Sequence, residues 1–161
     1  MEKITIVNEK DEIIDYKERG TLTKNDIYRV AGLWIENSKG QVLLAKRAVT
    51  KKNDPGMWGP AVAGTIDKGE SYEQNIIKET KEEIGLTNTN PKKVVKQRVK
   101  SPHNHFTQWF LLKINKPLNE FKIKKDEVAE LKWFSKQELK ELIKDDSAVV
   151  HSMKIFIREY L

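Results

Sequence analysis

Apolar residues fall into short runs along most of the chain, and polar turn residues separate the runs. Residues 3–16 contain two such runs around the polar turn 9–11, which predicts an N-terminal β-hairpin. A near-continuous apolar run at 28–36 suits a strand that is buried on both faces, and together with the run at 41–47 it predicts a central hairpin. Proline and glycine breakers predict a long loop at 48–60.

The pattern becomes helical at residues 72–84. Ser71 is a good N-cap residue, and Gln74 three positions later completes a capping box. Gly85 stands where a helix C′ glycine is expected. At about 100° per residue, one arc of this helix is apolar and should face a sheet. Its members are Ile76, Ile77, Thr80 and Ile84.

The remaining runs predict the rest of the fold. They indicate strands at 61–66, 93–100, 105–115 and 128–134, a short helix capped by Ser135, and a terminal helix over 148–160. No internal repeat, low-complexity tract or linker divides the sequence. We therefore predict one α/β domain that covers residues 1–161.

Composition excludes several classes of protein. The chain has 161 residues, of which 38% are hydrophobic, and this is enough for one hydrophobic core. No apolar run approaches the ~20 residues that span a bilayer, and the first residues lack a signal-peptide pattern. Because there is no cysteine, disulfides, zinc–thiolate sites and cysteine nucleophiles are excluded. We expect a cytoplasmic protein without a membrane partner.

The net charge of +6 leaves two interpretations of the partners. A basic surface can bind nucleic acid, but short basic pairs alternate with acidic residues here instead of forming one block. We therefore expect lysine to solubilise the surface, and we expect no nucleic-acid partner. A nucleic-acid-binding role stays open as an alternative, and so does a homodimer formed through the N-terminal hairpin.

Three glutamates lie close together in the second half of the predicted helix. Glu82 and Glu83 follow Glu79 by three and four positions, so all three fall on one arc. Like charges at these spacings destabilise a helix by about 0.2–0.5 kcal/mol, and the helix dipole disfavours anions near the C-terminus. Either the nearby Lys78 and Lys81 or a bound cation would compensate, and Mg²⁺ suits such a site because it takes oxygen ligands and bridges to substrate phosphates. A solvated acidic face is the alternative.

The stretch 64–86 resembles the motif of the Nudix hydrolases. That motif has Gly, five residues, Glu, seven residues, Arg-Glu-aliphatic, one residue, Glu-Glu, one residue and Gly-aliphatic. The matching residues are Gly64, Glu70, Glu79, Glu82, Glu83, Gly85 and Leu86, seven of nine positions. The order of strands, loop and helices is also similar over most of the chain. Residues 56–71 and the N-terminal hairpin most resemble the branch that includes isopentenyl-diphosphate isomerase.

The resemblance implies a mixed, curved β-sheet sandwiched between α-helices, and hydrolysis of a diphosphate with Mg²⁺ or Mn²⁺. The metal ligands that it implies are Glu79, Glu83, Glu82 (directly or through water) and the backbone carbonyl of Ala63. It places catalytic roles on Glu79, Glu82 and Lys78.

Four further positions receive roles from the resemblance. Gly64 would let the loop approach closely, Glu70 would brace the loop or the helix, and Gly85 would end the helix. Arg47, at the end of a predicted strand, matches a position that often contacts substrate phosphate.

Two residues depart from the motif. Lys78 replaces the motif arginine, which keeps the charge but loses the bidentate geometry, so we expect a lower rate rather than loss of metal binding. Thr80 replaces an aliphatic residue on the buried face, which bears on packing. The isomerase reaction itself is disfavoured, because that enzyme uses an active-site cysteine and this chain has none.

Residues outside the motif have both a binding and a structural interpretation. Lys51 could bind phosphate or remain a solvated loop residue, and Trp58 could cover a substrate pocket or pack on the domain. His105 could contact a phosphate at the start of its strand. Three acids lie in the loop from which some family members supply a general base: Glu120, Asp126 and Glu127.

These observations predict a Mg²⁺- or Mn²⁺-dependent enzyme. Its substrate would be a nucleoside diphosphate-linked compound or a related small diphosphate, cleaved at the diphosphate linkage. The alternative is a Nudix-fold module that binds a nucleotide without cleaving it, which the lysine at position 78 favours.

Overall fold

A computed structural model describes residues 2–161, and Met1, the first residue of the predicted domain, lies outside the described residues. Within residues 2–161 the chain forms nine strands and three α-helices. The strands are β1 (Lys3–Val7), β2 (Ile13–Glu18), β3 (Ile27–Glu36), β4 (Val42–Arg47), β5 (Trp58–Pro60), β6 (Val62–Thr65), β7 (Lys92–Val99), β8 (His105–Lys113) and β9 (Val128–Phe134). The helices are α1 (Tyr72–Ile84), α2 (Lys136–Leu142) and α3 (His151–Tyr160), and a 3-10 turn covers Leu118–Glu120.

All of these strands belong to one mixed sheet. Its hydrogen-bonded path runs β2-β1-β3-β4-β5, while β6 and β8 also pair with β3, β7 pairs with β8, and β9 pairs with β4. The β3–β8 pair is parallel, whereas β3 pairs antiparallel with β1, β4 and β6. β3 therefore lies at the centre of the sheet, in agreement with its continuous apolar sequence.

Helices cover both faces of this sheet. Leu33 of β3 packs in one core cluster with Ile76 and Ile84 of α1. The next residue, Trp34, packs in a second cluster with Phe156 of α3, and their ring centroids are 4.9 Å apart. Successive side chains of a strand point to opposite faces, so α1 lies on one face and α3 on the other. This confirms the predicted α/β fold with a sheet between helices.

The predicted central hairpin of residues 28–36 and 41–47 exists only next to its turn. β3 and β4 pair at Ile35–Leu43 and Glu36–Val42. Beyond these pairs, β3 continues beside β6 and β8, and β4 continues beside β5 and β9. An apolar pattern shows that a strand is buried, but the same side chains reach the core beside any partner strand, so the pattern does not identify the partner.

Two local predictions are wrong. The segment predicted as a loop at 48–60 contains β5, whose three residues pair with β4; a strand this short, with glycine and proline, gives no alternating pattern. Ile77 was expected in the buried arc of α1 but is 47% exposed, whereas Ile76, Thr80 and Ile84 are buried. The Thr80 hydroxyl donates to the carbonyl oxygen of Ile76 at 2.5 Å, which satisfies the one polar group in that arc.

The predicted N-terminal hairpin is present as the antiparallel pair β1–β2, and β2 extends to Glu18. β2 lies at one end of the hydrogen-bonded path and exposes Ile13 and Ile14. A homodimer through this edge stays a prediction. Of the helices formed by residues 2–161, none has the length and apolar character needed to cross a membrane.

Candidate active site

Helix α1 begins and ends where the sequence predicts. The Ser71 hydroxyl accepts the N–H of Gln74 at 3.1 Å, and the Gln74 side chain accepts the N–H of Ser71 at 2.9 Å. Gly85 ends the helix with a left-handed φ of 73°, and its N–H donates to the carbonyl oxygen of Lys81. These caps fix the length of the helix and therefore the position of the glutamates in its second half.

β6 passes so close to α1 that a side chain does not fit at Gly64. A Cβ atom there would lie 2.5 Å from Asn75 Oδ1 and 2.6 Å from Glu79 Cγ. Asn75 is fully buried, and its Nδ2 donates to the carbonyl oxygen of Thr65 and to Glu70 Oε1, both at 3.1 Å. Sequence analysis missed Asn75, although an asparagine inside a helix is unfavourable and was the available signal.

The carboxyl groups of Glu79 and Glu83 contact each other on α1. Burial, and then the charge of Glu82, raises the pKa of Glu79. Burial and the charge of Glu79 raise the pKa of Glu83 well above its usual value, although the backbone of Ala63 beside this carboxyl opposes the shift. Two carboxylates in contact repel each other when both are ionised. The pair is therefore short of positive charge.

Glu79, Glu82 and Glu83 form an acidic cluster on α1. The charge of Glu82 acts on Glu79, but the Glu82 side chain is exposed. Across residues 2–161, no three Asp, Glu, His or Cys side chains are already gathered as metal ligands. The structure thus brings together Glu79, Glu83 and the backbone of Ala63, and it leaves Glu82 in contact with solvent.

Glu127 reaches the cluster from a distant part of the chain. The N–H of Lys124 donates to the carbonyl oxygen of Glu83 at 3.0 Å, so the segment before β9 runs along the end of α1. The charge of Glu127 consequently adds to the increase in the pKa of Glu83. The other two predicted candidates for a general base, Glu120 and Asp126, are exposed.

Lys78 points toward the loop that precedes the helix. Its Nζ lies 2.6 Å from Glu70, 3.4 Å from Asp67 and 3.7 Å from Glu79. Burial alone would lower the pKa of Lys78, but these carboxylates outweigh it and raise that pKa. Glu70 also accepts the N–H of Asp67 at 2.9 Å. These are the contacts that the expected bracing role of Glu70 requires, and Asp67 was not identified from the sequence.

The loop after β4 carries two of the predicted substrate contacts. Lys51 forms an ion pair with Glu127, and the N–H of Ala48 donates to the carbonyl oxygen of Glu127 at 3.1 Å. The loop therefore lies beside the glutamates. Arg47 Nε donates to the carbonyl oxygen of Asn53 at 2.9 Å, which holds this guanidinium within its own loop.

Trp58 and His105 make contacts of a structural kind. Trp58 packs edge-on against Phe134 with ring centroids 5.0 Å apart, in the core cluster that contains α3. His105 is 6% exposed, and its Nδ1 lies 3.0 Å from the Thr107 hydroxyl. Burial lowers the pKa of His105 to about 4, so its ring is neutral near pH 7. A substrate contact for either residue stays a prediction.

The donor set fits a small divalent cation. Mg²⁺ binds oxygen ligands, and in phosphate sites it commonly uses one or two carboxylates together with water and substrate oxygens. Glu79 and Glu83 offer such a pair of carboxylates. Lys78, 3.7 Å from Glu79, lowers the pKa of that carboxyl, but burial and the neighbouring acids outweigh this effect.

Comparison with known sequences gives a consistent family assignment. A family profile described as NUDIX domain matches residues 27–153, which include α1 but not β1 and β2. An uncharacterised Nudix hydrolase of Listeria monocytogenes is 31% identical over 149 residues, covering 88% of this chain and 85% of the relative. The isopentenyl-diphosphate Delta-isomerase of Shigella boydii is 33% identical over 107 residues, covering 62% of this chain and 57% of that enzyme.

Comparison with solved structures extends the likeness to the whole fold. A protein of Deinococcus radiodurans, solved by crystallography, superposes with a TM-score of 0.87, and the match covers 99% of both chains. The sequence identity is 20%, so this likeness concerns the fold alone. It includes the N-terminal hairpin, which the family profile leaves out.

Proposed function

Since the chain belongs to the Nudix hydrolase family, whose members cleave diphosphate-containing compounds, we propose that it uses Mg²⁺ or Mn²⁺ to cleave the diphosphate linkage of a nucleoside diphosphate-linked compound or a related small diphosphate. The observation that carries this proposal is the contact between Glu79 and Glu83. Two carboxylates with raised pKa values lie beside the backbone of Ala63, and the approach of Lys78 to Glu79 at 3.7 Å does not offset the effects of burial and neighbouring acids.

Cation binding is assigned to the acidic half of α1. We assign Glu79, Glu83 and the backbone carbonyl of Ala63 as ligands, and Glu82 as a further ligand directly or through water. The chemistry that a bound divalent cation supplies is neutralisation of phosphate charge and a lower pKa of water. Gly64 permits this arrangement because it allows β6 to approach the helix.

We assign Glu127 as the general base that accepts a proton from the attacking water. It is the acid outside α1 whose charge acts on Glu83, and its segment is fixed to the helix end by the hydrogen bond between Lys124 and Glu83. Lys51 forms an ion pair with Glu127, and we assign it a contact with a substrate phosphate. Lys78 acts by holding Glu70 and Glu79 in position.

The distribution of basic residues favours a small anionic substrate over nucleic acid. Three of the four cationic side chains of β7 form ion pairs with acids of neighbouring elements: Lys93 with Glu73, Lys96 with Asp11 and Arg98 with Glu9. The strand therefore presents balanced charge instead of a basic stripe. We propose a cytoplasmic protein with a small-molecule substrate and without a nucleic-acid or membrane partner.

The test is a panel of nucleoside diphosphate-linked compounds and small diphosphates, incubated with Mg²⁺ or Mn²⁺. Release of nucleoside monophosphate or phosphate is measured for the wild type, for Glu83→Gln and for Glu73→Gln. Glu73 is a matched control because it lies on the same helix and pairs with Lys93 at 2.6 Å, outside the acidic cluster. We expect cleavage that Glu83→Gln lowers at least about a hundredfold and Glu73→Gln retains. Full activity of Glu83→Gln would show that the site is elsewhere.

One observation favours a second function, a module that binds a nucleotide without cleaving it. Lys78 contacts Glu70 at 2.6 Å but lies 3.7 Å from Glu79, so its charge is directed mainly toward the loop. Calorimetric binding of a nucleotide, with no product release across the same panel, would support the module and exclude the hydrolase.

A further inference from the structure

The N-terminal hairpin, β1 and β2, lies outside residues 27–153 of the family match, yet it contacts the loop that leads into α1. We propose that this hairpin is a positioning element of the active site and that Asp11, in its turn, is the residue that fixes it in place. The link to catalysis rests on the proposed function, whereas the link between the hairpin and the loop does not.

β1 holds the loop 66–70 through the backbone. The N–H of Thr5 donates to the carbonyl oxygen of Ile66 at 3.1 Å, and the N–H of Lys68 donates to the carbonyl oxygen of Lys3 at 2.8 Å. β1 therefore extends a sheet-like pairing to a loop that the family motif places directly before the catalytic helix. A movement of β1 moves this loop.

Asp67 connects the hairpin to the glutamates. From the hairpin side, the Thr5 hydroxyl donates to the carbonyl oxygen of Asp67 at 3.3 Å, and the Arg19 guanidinium lies 3.3 Å from its carboxylate. From the helix side, Lys78 lies 3.4 Å from the same carboxylate and 3.7 Å from Glu79. The hairpin thus reaches Glu79 through two side chains.

Asp11 fixes the hairpin turn against the start of α1. Its φ of 60° lies in the left-handed region, where glycine or asparagine would fit such a turn with less strain. Its carboxylate is 8% exposed and accepts Arg29 Nε at 2.7 Å, Lys96 Nζ at 2.6 Å and the Tyr72 hydroxyl at 3.0 Å. Tyr72 is the first residue of α1. The hairpin therefore contacts the chain on both sides of residues 69–71.

Glu9 in the same turn provides a matched control. Its carboxylate pairs with Arg98 at 2.9 Å, but its side chain is 65% exposed. Glu9→Gln and Asp11→Asn each remove one negative charge from one turn by an acid-to-amide change. The two variants differ in whether the lost carboxylate is buried and touches α1.

The experiment uses the full chain and measures amide hydrogen exchange at residues 66–70, together with kcat and KM on a substrate found in the panel. For Asp11→Asn we expect exchange at Lys68 to accelerate about tenfold, as expected for loss of hydrogen bonds to a buried charge. We expect kcat to fall about tenfold with KM changed less than about twofold, because misplacement of the reacting groups lowers kcat. Glu9→Gln should change neither quantity.

Exchange requires no substrate, so absence of hydrolysis would contradict the proposed function and leave the hairpin test intact. If Asp11→Asn folds poorly, Tyr72→Phe removes one hydroxyl from Asp11 and keeps the aromatic ring, and the same acceleration at Lys68 is expected. If Asp11→Asn and Tyr72→Phe both showed the same exchange rate at Lys68 as Glu9→Gln, the proposal would be overturned. A fall in kcat without faster exchange at residues 66–70 would also overturn it.

Discussion

The acids near the two ends of helix α1 have pKa values that are shifted in opposite directions. Near the N-terminal end, Asp11 and Glu70 touch lysine or arginine side chains, and these contacts outweigh the effect of burial and lower both pKa values. In the C-terminal half, Glu79 and Glu83 touch each other, and burial together with neighbouring acids raises both pKa values. Burial acts in the same direction at both ends, so the difference comes from the partners of each acid.

This difference distinguishes acids that hold the structure together from acids that are available to bind a cation. An acid with a cationic partner already has the charge that it needs, and its contacts hold the hairpin, the loop and the helix together. Glu79 and Glu83 have no contact of that kind, because Lys78 lies 2.6 Å from Glu70 but 3.7 Å from Glu79. We expect such a pair to gain free energy when a cation arrives from solution. We therefore assign cation binding to the second half of α1 and a positioning role to the contacts around its first half.

Glu83→Gln should have the largest effect, because it removes one of the two unbalanced acids. We expect kcat/KM to fall at least about a hundredfold, since even contacts that only orient metal ligands contribute tenfold to a hundredfold. The free energy of unfolding should stay unchanged or rise, because a repelled carboxylate is removed. Steady-state kinetics with Mg²⁺ and urea unfolding measure the two quantities.

Glu70→Gln is the matched variant at the balanced end of the helix. It removes the carboxylate that contacts Lys78 at 2.6 Å, so the free energy of unfolding should fall by about 1–2 kcal/mol. If Glu83→Gln destabilised the protein as much as Glu70→Gln does, the contrast between the two ends would be wrong.

Gly64→Ala should have the next largest effect, because it separates the strand from the acidic half of the helix. The new methyl group would lie 2.5 Å from Asn75 Oδ1 and 2.6 Å from Glu79 Cγ. We expect the free energy of unfolding to fall by about 1–3 kcal/mol and kcat to fall about tenfold or more. Gly59→Ala is the control, since its nearest neighbour, Val150 Cγ2, would be 3.4 Å away. Equal losses in both variants would argue against a specific role of the close approach.

Local signals in the sequence predicted the bounds and caps of α1 correctly. Caps, periodicity and the glycine at 64 act within one short segment, so their geometry follows from residue spacing. The pairing of β3 with β8 and the position of Glu127 beside Glu83 could not be predicted in this way. These contacts join distant segments, and polar residues such as Asp11 show no pattern that identifies their partners before the chain is folded.

Asp11→Asn tests the contacts near the N-terminal end of α1 through the pH dependence of the free energy of unfolding. The pKa of Asp11 lies below its usual value because hydrogen bonds from Lys96 and Arg29 together outweigh burial. Its ionised form therefore stabilises the fold above the ordinary Asp pKa, and this contribution is lost as the pH falls through the folded pKa. We expect Asp11→Asn to lower the free energy of unfolding by about 1–2 kcal/mol at neutral pH. Urea unfolding should show that the free energies of unfolding of Asp11→Asn and wild type become more similar below about pH 4. A difference that is constant with pH would mean that the ionised carboxylate of Asp11 is not the cause.

Lys78→Arg should have the smallest effect and is the most informative about how the two ends communicate. Lys78 contacts Glu70 at 2.6 Å and lies 3.7 Å from Glu79, so it is the side chain that reaches both ends. A guanidinium can bind two carboxylates through its planar fork. We expect kcat to rise about threefold and the free energy of unfolding to change by less than about 1 kcal/mol. A lower kcat in steady-state assays would contradict this expectation. It would mean that catalysis depends on the contact of Lys78 with Glu70 and not on its approach to Glu79.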